Sequence, residues 1–303
     1  MIEKNSNKIT EGVLKKDEIG SFIEGLEGKR HFSGERIWEG YTSHWLEKKV
    51  FARELKQLDY KTDMPIVLVW SGDAEELKNP VSNYIEVYYN ERLIKYWSSF
   101  LGHVAANING DIFNFSNKIN ENEILSPEEY FYRPALGEFS PGLSGGQDFS
   151  NPKLPHYDKF GRRFMRSIHV VRIEGEGLDA AFLKDVFNKK LNKIYNTPVD
   201  PARPDFYRDF NFRKNSCATI IRDGLREGGF ADASGFCPRD FFVSCAKSFR
   251  RIARERNLSV SLRLMSQLKV PEAPPSRMTP LLNPINHYRK RKYLDNVQVQ
   301  IIP

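Results

Sequence analysis

The spacing of hydrophobic and polar residues along this chain predicts strands and amphipathic helices in mixed order. Compact apolar runs bounded by turn-forming residues predict strands at residues 65–70 and 168–173, whereas residues 84–89 fit either a strand or the start of a helix. Apolar residues at near-helical spacing predict helices over residues 178–195 and 239–256. We therefore expect an α+β protein.

The predicted elements divide the chain into three parts. Residues 1–60 are expected to form a loosely held polar arm, over about the first 30 residues, and then a helix or helix pair whose apolar positions lie between 37 and 58. Residues 61–265 are expected to form the main domain. Residues 266–303 are Pro-rich and then strongly basic, which predicts a C-terminal tail.

The dipeptide Asn109-Gly110 predicts a β-hairpin with a two-residue type I′ turn. Such a turn would pair Ile108 with Asp111, Ala106 with Phe113, Ala105 with Asn114, and His103 with Ser116. One face would then be apolar and belong to the core, with Val104, Ala106, Ile108, Phe113 and Phe115. On the other face His103 and Asn114 would be diagonal neighbours, within reach of each other, unless the register slips by one residue.

Residues 215–229 predict a short helix that begins at a cysteine. Counted from Cys217, the positions on one helical stripe are apolar, at Ile220, Ile221, Gly224 and Leu225. Asn215 or Ser216 can cap the helix start, and the pair Gly228-Gly229 can end it. Cys217 therefore lies where unpaired backbone N–H groups and the positive helix end favour a thiolate. On this segment alone, a buried structural cysteine is an equal alternative.

Two other residues, Ser144 and His169, are weaker candidates for a catalytic role. Residues 142–146, Gly-Leu-Ser-Gly-Gly, match a nucleophile elbow around Ser144, but neither a strand before them nor a helix after them is predicted. A flexible loop within the Gly- and Pro-rich region 117–165, serving as a candidate substrate flap, is the favoured interpretation. His169 alternates with apolar residues of its strand, which favours a structural role, although it is the main rival of His103.

Composition and charge narrow the function classes. With 40% hydrophobic and 28% charged residues, the 303-residue chain has the composition of an ordinary globular protein. Its net charge of +7 suggests an anionic partner, but no finger, helix-turn-helix or RNA-binding motif is present, so no nucleic-acid partner is expected. The cysteines, Cys217, Cys237 and Cys245, fit neither a disulfide framework nor a metal-ligand spacing. We expect no metal and no cofactor.

The sequence also carries a prediction about localisation. Its first residues lack the apolar segment of a signal peptide, and no apolar run approaches about 18 residues. We expect synthesis in the cytoplasm as a soluble, reduced chain. Any export would then use a route that needs no classical signal.

The order of these elements resembles that of circularly permuted NlpC/P60 domains, which belong to the papain-like superfamily. In those domains the histidine precedes the cysteine, as His103 on its hairpin precedes Cys217 at its helix start. The flanking elements extend the resemblance over residues 65–256. Two departures are present: Ser216 stands where the family usually has Asn directly before Cys, and Asn114 stands where the third polar residue is often His.

The resemblance implies a small antiparallel sheet packed against helices, with the nucleophile at a helix N-terminus. It also implies a cysteine hydrolase in which Cys217 is the nucleophile, His103 the base, and Asn114 the residue that orients the imidazole. No cofactor is needed for this chemistry. Supporting roles are expected for Ser116, Asn215 and Ser216.

Similar domain arrangements occur in toxins and effectors of bacterial secretion systems, including type VI. The resemblance therefore implies a peptidoglycan-peptide amidase or endopeptidase, acting as an antibacterial effector that a specialised secretion system exports to a target cell. Its expected partners are peptidoglycan or another anionic envelope substrate, an immunity protein and a secretion-system component. Two alternatives stay open: a lipid-directed acyltransferase or phospholipase of the same fold, and a non-catalytic binding module in which Cys217 is merely packed.

Overall fold

A computed structural model of the protein describes residues 8–33, 36–37, 45–58, 65–71, 83–91, 101–117, 122–132, 167–198, 201–202, 208–266, 283–295 and 300–302. The chain forms two compact units. The first consists of Met1–Lys78, Glu128–Met165 and Leu268–Glu272, and the second of Asn79–Pro127, Arg166–Gln267 and Ala273–Pro303.

The first unit contains a six-stranded sheet. Its strands are β1 (Thr10–Lys16), β2 (Ser21–Gly25), β3 (Arg30–His31), β4 (Arg36–Ile37), β5 (Lys49–Leu58) and β6 (Pro65–Ser71). The order is β3-β2-β1-β5-β6-β4, and every pairing is antiparallel except that of β4 with β6. Leu14, Ile23 and Val50 are fully buried, as are residues 66–69.

These strands overturn two predictions. The loosely held arm is wrong for the described residues, because β1 pairs with both β2 and β5. The helix or helix pair before residue 58 is wrong for residues 49–58, which form β5. Val50 and Ala52 are buried at alternate positions, as in a strand. A register shift between Glu54 and Leu58 breaks this alternation. The next buried residue, Leu55, therefore follows Ala52 by three positions, a spacing that also fits a helix.

The second unit contains a seven-stranded sheet. Its strands are β7 (Tyr84–Asn90), β8 (His103–Ile108), β9 (Asp111–Asn114), β10 (Glu123–Leu125), β11 (Ser167–Glu174), β12 (Ser259–Ser266) and β13 (Gln300–Ile302). The order is β10-β9-β8-β7-β11-β12-β13, and only β12 and β13 run parallel. The predicted strand at 168–173 is confirmed, and residues 84–89 are a strand rather than a helix start.

The helices of the described residues are α1 (Pro127–Tyr132), α2 (Ala180–Tyr195), α3 (Cys217–Glu227), α4 (Pro238–Arg256) and α5 (Pro284–Lys290). A π-helical turn, Arg291–Asp295, follows α5. The predicted helices at 178–195 and 239–256, and the one that begins at Cys217, are confirmed. The α+β class is confirmed as well.

Helices α2, α3 and α4 pack on one face of the seven-stranded sheet. That face presents Ile85 and Val87 of β7 together with Val104 and Ala106 of β8, all fully buried. Contacts from the helices come from residues such as Phe187, Ile221 and Phe241, which belong to the same core cluster. Alternate residues of each strand point to opposite faces, so the periodicity of β7 and β8 places this core on one side.

Two further predictions need correction. Region 117–165, predicted as a loop, contains β10 and α1, while Gly142–Gly146 with Ser144 lie outside the described residues. The predicted tail is folded where it is described, since β13 pairs with β12. Asn286 is buried, and its amide donates a 2.8 Å hydrogen bond to Asp240 Oδ1 of α4. The basic composition of this segment gave no sign of that contact.

The unit boundaries also differ from the predicted ones. Strand β6 pairs with β5, so residues on both sides of the predicted boundary at residue 60 share one sheet. Strand β13 likewise joins the sheet of the main domain across the predicted boundary at 265. None of the helices in the described ranges is long and apolar enough to cross a membrane.

Candidate active site

The hairpin β8–β9 has the register predicted from Asn109-Gly110. Both residues have positive φ, 51° and 93°, as a type I′ turn requires. The predicted pairs of Ile108 with Asp111, Ala106 with Phe113, and Ala105 with Asn114 are confirmed. The fourth, His103 with Ser116, is not part of the ladder, because β9 ends at Asn114.

The hairpin places the imidazole of His103 against Asn114. The ring Nε2 lies 2.6 Å from Asn114 Oδ1. An amide oxygen only accepts hydrogen bonds, so Nε2 carries a proton and donates it. In neutral His103 this tautomer leaves Nδ1 as the unprotonated, basic nitrogen.

Helix α3 presents Cys217 at its first position. Ser216 is the N-cap and, together with Thr219, forms a capping box. The Ser216 N–H donates to Thr219 Oγ1 at 2.8 Å, while the Thr219 N–H donates to Ser216 Oγ at 3.4 Å. Because this cap fixes the first turn, it also fixes the Cα–Cβ direction of Cys217.

Cys217 and His103 are joined by a hydrogen bond, and the electrostatics of the thiol reflect it. Burial alone would raise the pKa of Cys217, but the charge of His103, its hydrogen bond, and the N–H groups of Val104 and Ala218 together lower that pKa below 9.0. Since Nε2 is engaged with Asn114, the ring nitrogen that faces the sulfur is Nδ1. The three predicted catalytic side chains are therefore brought together in one array.

The other cysteines have opposite environments. Burial, followed by the charge of Asp240, raises the pKa of Cys237 to about 11. Burial raises the pKa of Cys245 well above its ordinary value. Cys237 directly precedes α4, and Cys245 belongs to the core. A stabilised thiolate is therefore a property of Cys217 alone among the three.

The three predicted supporting residues make different hydrogen bonds. Ser216 supports Cys217 through the helix cap. Asn215 donates its side-chain amide to the carbonyl of Asp209 at 3.2 Å. Ser116 donates its hydroxyl to Asn117 Oδ1 at 3.1 Å, and its N–H donates to Asn122 Oδ1 at 3.0 Å.

The rival histidine has a different partner. His169 Nε2 lies 2.7 Å from Glu91 Oε1. Its ring lies against those of Tyr89 and Phe242, with centroids 5.8 and 6.3 Å away. The imidazole bonded to Cys217 is that of His103, so the structural role predicted for His169 agrees with these contacts.

Two neighbours of the site were not predicted from sequence. Arg239 is buried and donates from Nε to the Tyr89 hydroxyl at 2.9 Å. A Cβ on Gly102, the residue before His103, would lie 3.1 Å from that same hydroxyl oxygen. No local sequence pattern could predict this packing, because Tyr89 and Arg239 are 150 residues apart in sequence.

The described residues contain no group of three or more His, Cys, Asp or Glu side chains arranged to hold a metal ion. No family model, curated protein or solved structure matches this chain. The resemblance to permuted NlpC/P60 domains therefore depends on the order and identity of the residues described above.

Proposed function

We propose that the protein is a cysteine hydrolase that cleaves an amide bond. The observation that carries this proposal is the hydrogen-bonded array of Cys217, His103 and Asn114, in which the thiol pKa is lowered although the sulfur is partly buried. A cysteine that only fills space needs no such partners: Cys245 belongs to the core, and burial raises its pKa.

In the first half-reaction Cys217 is the nucleophile. His103 Nδ1 takes the thiol proton, and the thiolate attacks the carbonyl carbon of the substrate. The backbone N–H of Cys217, at the positive end of α3, is the candidate donor to the resulting oxyanion. When the tetrahedral intermediate collapses, the C–N bond breaks and His103 gives its proton to the leaving amine. A thioester on Cys217 remains.

The second half-reaction restores the enzyme. His103 removes a proton from water as the water oxygen attacks the thioester carbonyl. The C–S bond breaks, the acid product leaves, and the proton returns to the Cys217–His103 pair. Asn114 acts throughout by holding Nε2, so that Nδ1 keeps facing the sulfur.

The substrate class we propose is a peptide of peptidoglycan. The order of histidine, polar residue and helix-start cysteine, shared with permuted NlpC/P60 domains, supports it, and the net charge of +7 suits an anionic envelope polymer. We further propose an antibacterial effector that reaches its target cell through a specialised secretion system. An immunity protein and a secretion-system component are the partners that this role requires.

The test is incubation of the full chain with purified peptidoglycan and, separately, with phospholipid vesicles, followed by mass analysis of the products. We expect released muropeptides or free stem peptides from the first and no lysolipid or fatty acid from the second. The matched control is Cys217→Ser, which keeps the helix start but loses the reactive thiolate.

Two outcomes would count against the proposal in different ways. Fatty acid or lysolipid released by the native chain, but not by Cys217→Ser, would replace the amide substrate with a lipid ester and keep the nucleophile. If neither substrate is cleaved and Cys217 reacts with iodoacetamide no faster than an ordinary thiol, the protein is a binding module.

A further inference from the structure

A pocket of about 330 Å³ lies at the C-terminal end of α4, within the second unit. It is lined by Arg250, Ala253, Arg254, Asn257, Leu258 and Val260. These residues belong to the last turns of α4, to the connection after it, and to the start of β12. Its volume falls at the lower end of the range of about 300–1,000 Å³ that is typical of small-molecule sites.

The two arginines of this pocket differ from their neighbour Arg251. Arg251 Nε lies 2.7 Å from Asp232 Oδ2, and its Nη1 lies 2.7 Å from Glu255 Oε1. Among the ion pairs of the described ranges, none includes Arg250 or Arg254. Burial and the charge of Arg254 lower the pKa of Arg250, so the two guanidinium groups lie close enough to repel each other.

The π-helical turn after α5 approaches the pocket at Tyr293, which is close enough to Arg250 to interact with its charge. Lys292 Nζ lies 5.6 Å from the centre of the Tyr293 ring. The carboxylate of that turn, Asp295, pairs with Lys290 at 3.1 Å. The negative end of the α4 dipole opposes an anion here, but two full positive charges outweigh its partial charge.

One part of the pocket wall is apolar. Leu258 and Val260 are partly buried and pack against the main core, and Ala253 belongs to that core. A ligand that fits both walls carries a compact anionic group and a small apolar group. Two guanidinium groups match the charge of about −1.5 to −2 on a phosphomonoester better than the single charge of a carboxylate.

We propose that this pocket binds a phosphomonoester, with its phosphate between Arg250 and Arg254 and its apolar group against Leu258 and Val260. The site is separate from the Cys217 array and does not depend on the proposed hydrolase activity. The phosphomonoester is either a small soluble molecule or the headgroup of an anionic lipid such as phosphatidic acid. Both present the same chemistry to the arginines.

The test is calorimetric titration of the full chain with phenyl phosphate and with inorganic phosphate. We expect phenyl phosphate to bind more tightly, because only it reaches the apolar wall. The double variant Arg250→Gln, Arg254→Gln should bind phenyl phosphate at least about tenfold more weakly. The charge-matched control Arg251→Gln, Arg256→Gln, on the same helix, should stay within about twofold of the native chain. Thermal unfolding of each variant checks that it is folded.

Sedimentation with phosphatidylcholine vesicles, with and without phosphatidic acid, distinguishes the two sources. Binding only to phosphatidic acid vesicles, lost in the Arg250/Arg254 variant, identifies a lipid headgroup. Equal loss of phosphate binding in both double variants would overturn the proposal in favour of a general basic surface. The same holds if the native chain binds neither phosphomonoester nor vesicle. Alkylation of Cys217 should be unchanged in every variant, so this result and that for the hydrolase can be judged separately.

Discussion

The three cysteines of the chain differ in the ease with which each can lose its proton. Cys217 is partly buried, yet its hydrogen bonds and the charge of His103 stabilise the thiolate. Cys237 and Cys245 are buried without such partners, so their pKa values are raised. The same residue type therefore has opposite reactivity according to what surrounds the sulfur.

We expect iodoacetamide to alkylate Cys217 with a pH midpoint below that of an ordinary exposed thiol, because the rate follows the thiolate fraction and the pKa is lowered. The change His103→Ala removes the favourable charge and hydrogen bond but leaves burial, so the midpoint should rise. The midpoint is measured by mass analysis of the alkylated Cys217 peptide after reaction at a series of pH values. Cys237, with a pKa of about 11, is the internal reference and should stay unlabelled at neutral pH. An unchanged midpoint in His103→Ala would show that His103 does not stabilise the Cys217 thiolate.

Asn114→Ala should lower the rate of hydrolysis by less than His103→Ala, for which a loss of about 10²–10⁴-fold is expected. Asn114 holds the ring through a 2.6 Å bond but transfers no proton itself. The measurement is kcat on the substrate identified by product analysis, with the Cys217 alkylation midpoint as a second readout. Ser116→Ala is the control and should behave as the native chain, since its hydroxyl bonds to Asn117. A larger loss of kcat in Ser116→Ala than in Asn114→Ala would mean that Ser116, and not Asn114, orients the His103 imidazole.

At the scale of elements, the site depends on how the hairpin and helix α3 are seated. Gly102 has φ of +82° immediately before β8, and a Cβ there would lie 2.6 Å from the Asn90 carbonyl oxygen and 2.7 Å from Tyr89 Cε2. Gly224 of α3 is in similarly close contact with Phe187 of α2. Glycine is required at both positions because a backbone approaches its neighbour too closely for a side chain.

Gly102→Ala should destabilise the protein by about 1–3 kcal/mol and displace His103. Urea unfolding measures the first effect, and the Cys217 alkylation midpoint measures the second. The matched control is Gly110→Ala: Gly110 also has positive φ, +93°, but its added Cβ would meet nothing within 4 Å. We expect Gly110→Ala to cost stability without changing the alkylation midpoint. Equal midpoints in both variants would show that the seating of β8 does not control His103.

At the scale of the whole molecule, four strands of the second unit share a buried ionic cluster. Glu86 of β7 is 2% exposed and accepts a 3.0 Å hydrogen bond from Asn107 of β8. Its carboxylate also accepts from Tyr88, from Arg172 of β11 at 3.4 Å, and from Arg263 of β12. The cluster lies on the sheet face opposite the core, because Glu86 alternates with Ile85 and Val87.

Glu86→Ala should lower the free energy of unfolding by about 1–3 kcal/mol, because the partly buried Arg172 and Arg263 lose the carboxylate that they share. Chemical denaturation followed by tryptophan fluorescence and circular dichroism measures the loss. The control is Asp185→Ala, which breaks the exposed 2.6 Å pair with Lys189 on α2 and should leave the unfolding midpoint unchanged. Similar midpoints for the two variants would mean that the cluster adds nothing to stability.

The reliability of the sequence-based predictions follows the range of the interactions involved. The hairpin register depends on Asn109-Gly110, two adjacent residues with positive φ, and three of its four predicted pairs are present. In the first sheet, the strand predicted at residues 65–70 is present as β6, but β1 and β5 were missed. They pair across a long stretch of chain, and a bulge interrupts the alternation of buried residues in β5. The fold of the basic tail was missed because Asn286 finds Asp240 only in the folded protein.

The main helices, the hairpin and the cysteine at a capped helix start could be predicted from sequence, because each depends on residues within a few positions of one another. The hydrogen bond of Cys217 to His103 rather than to His169, and that of Asn114 to the other ring nitrogen, depend on the tertiary structure. It also decided which arginines of α4 have acidic partners and which line a pocket. These contacts join side chains that are distant in sequence, so packing of the whole unit, and no local pattern, places them together.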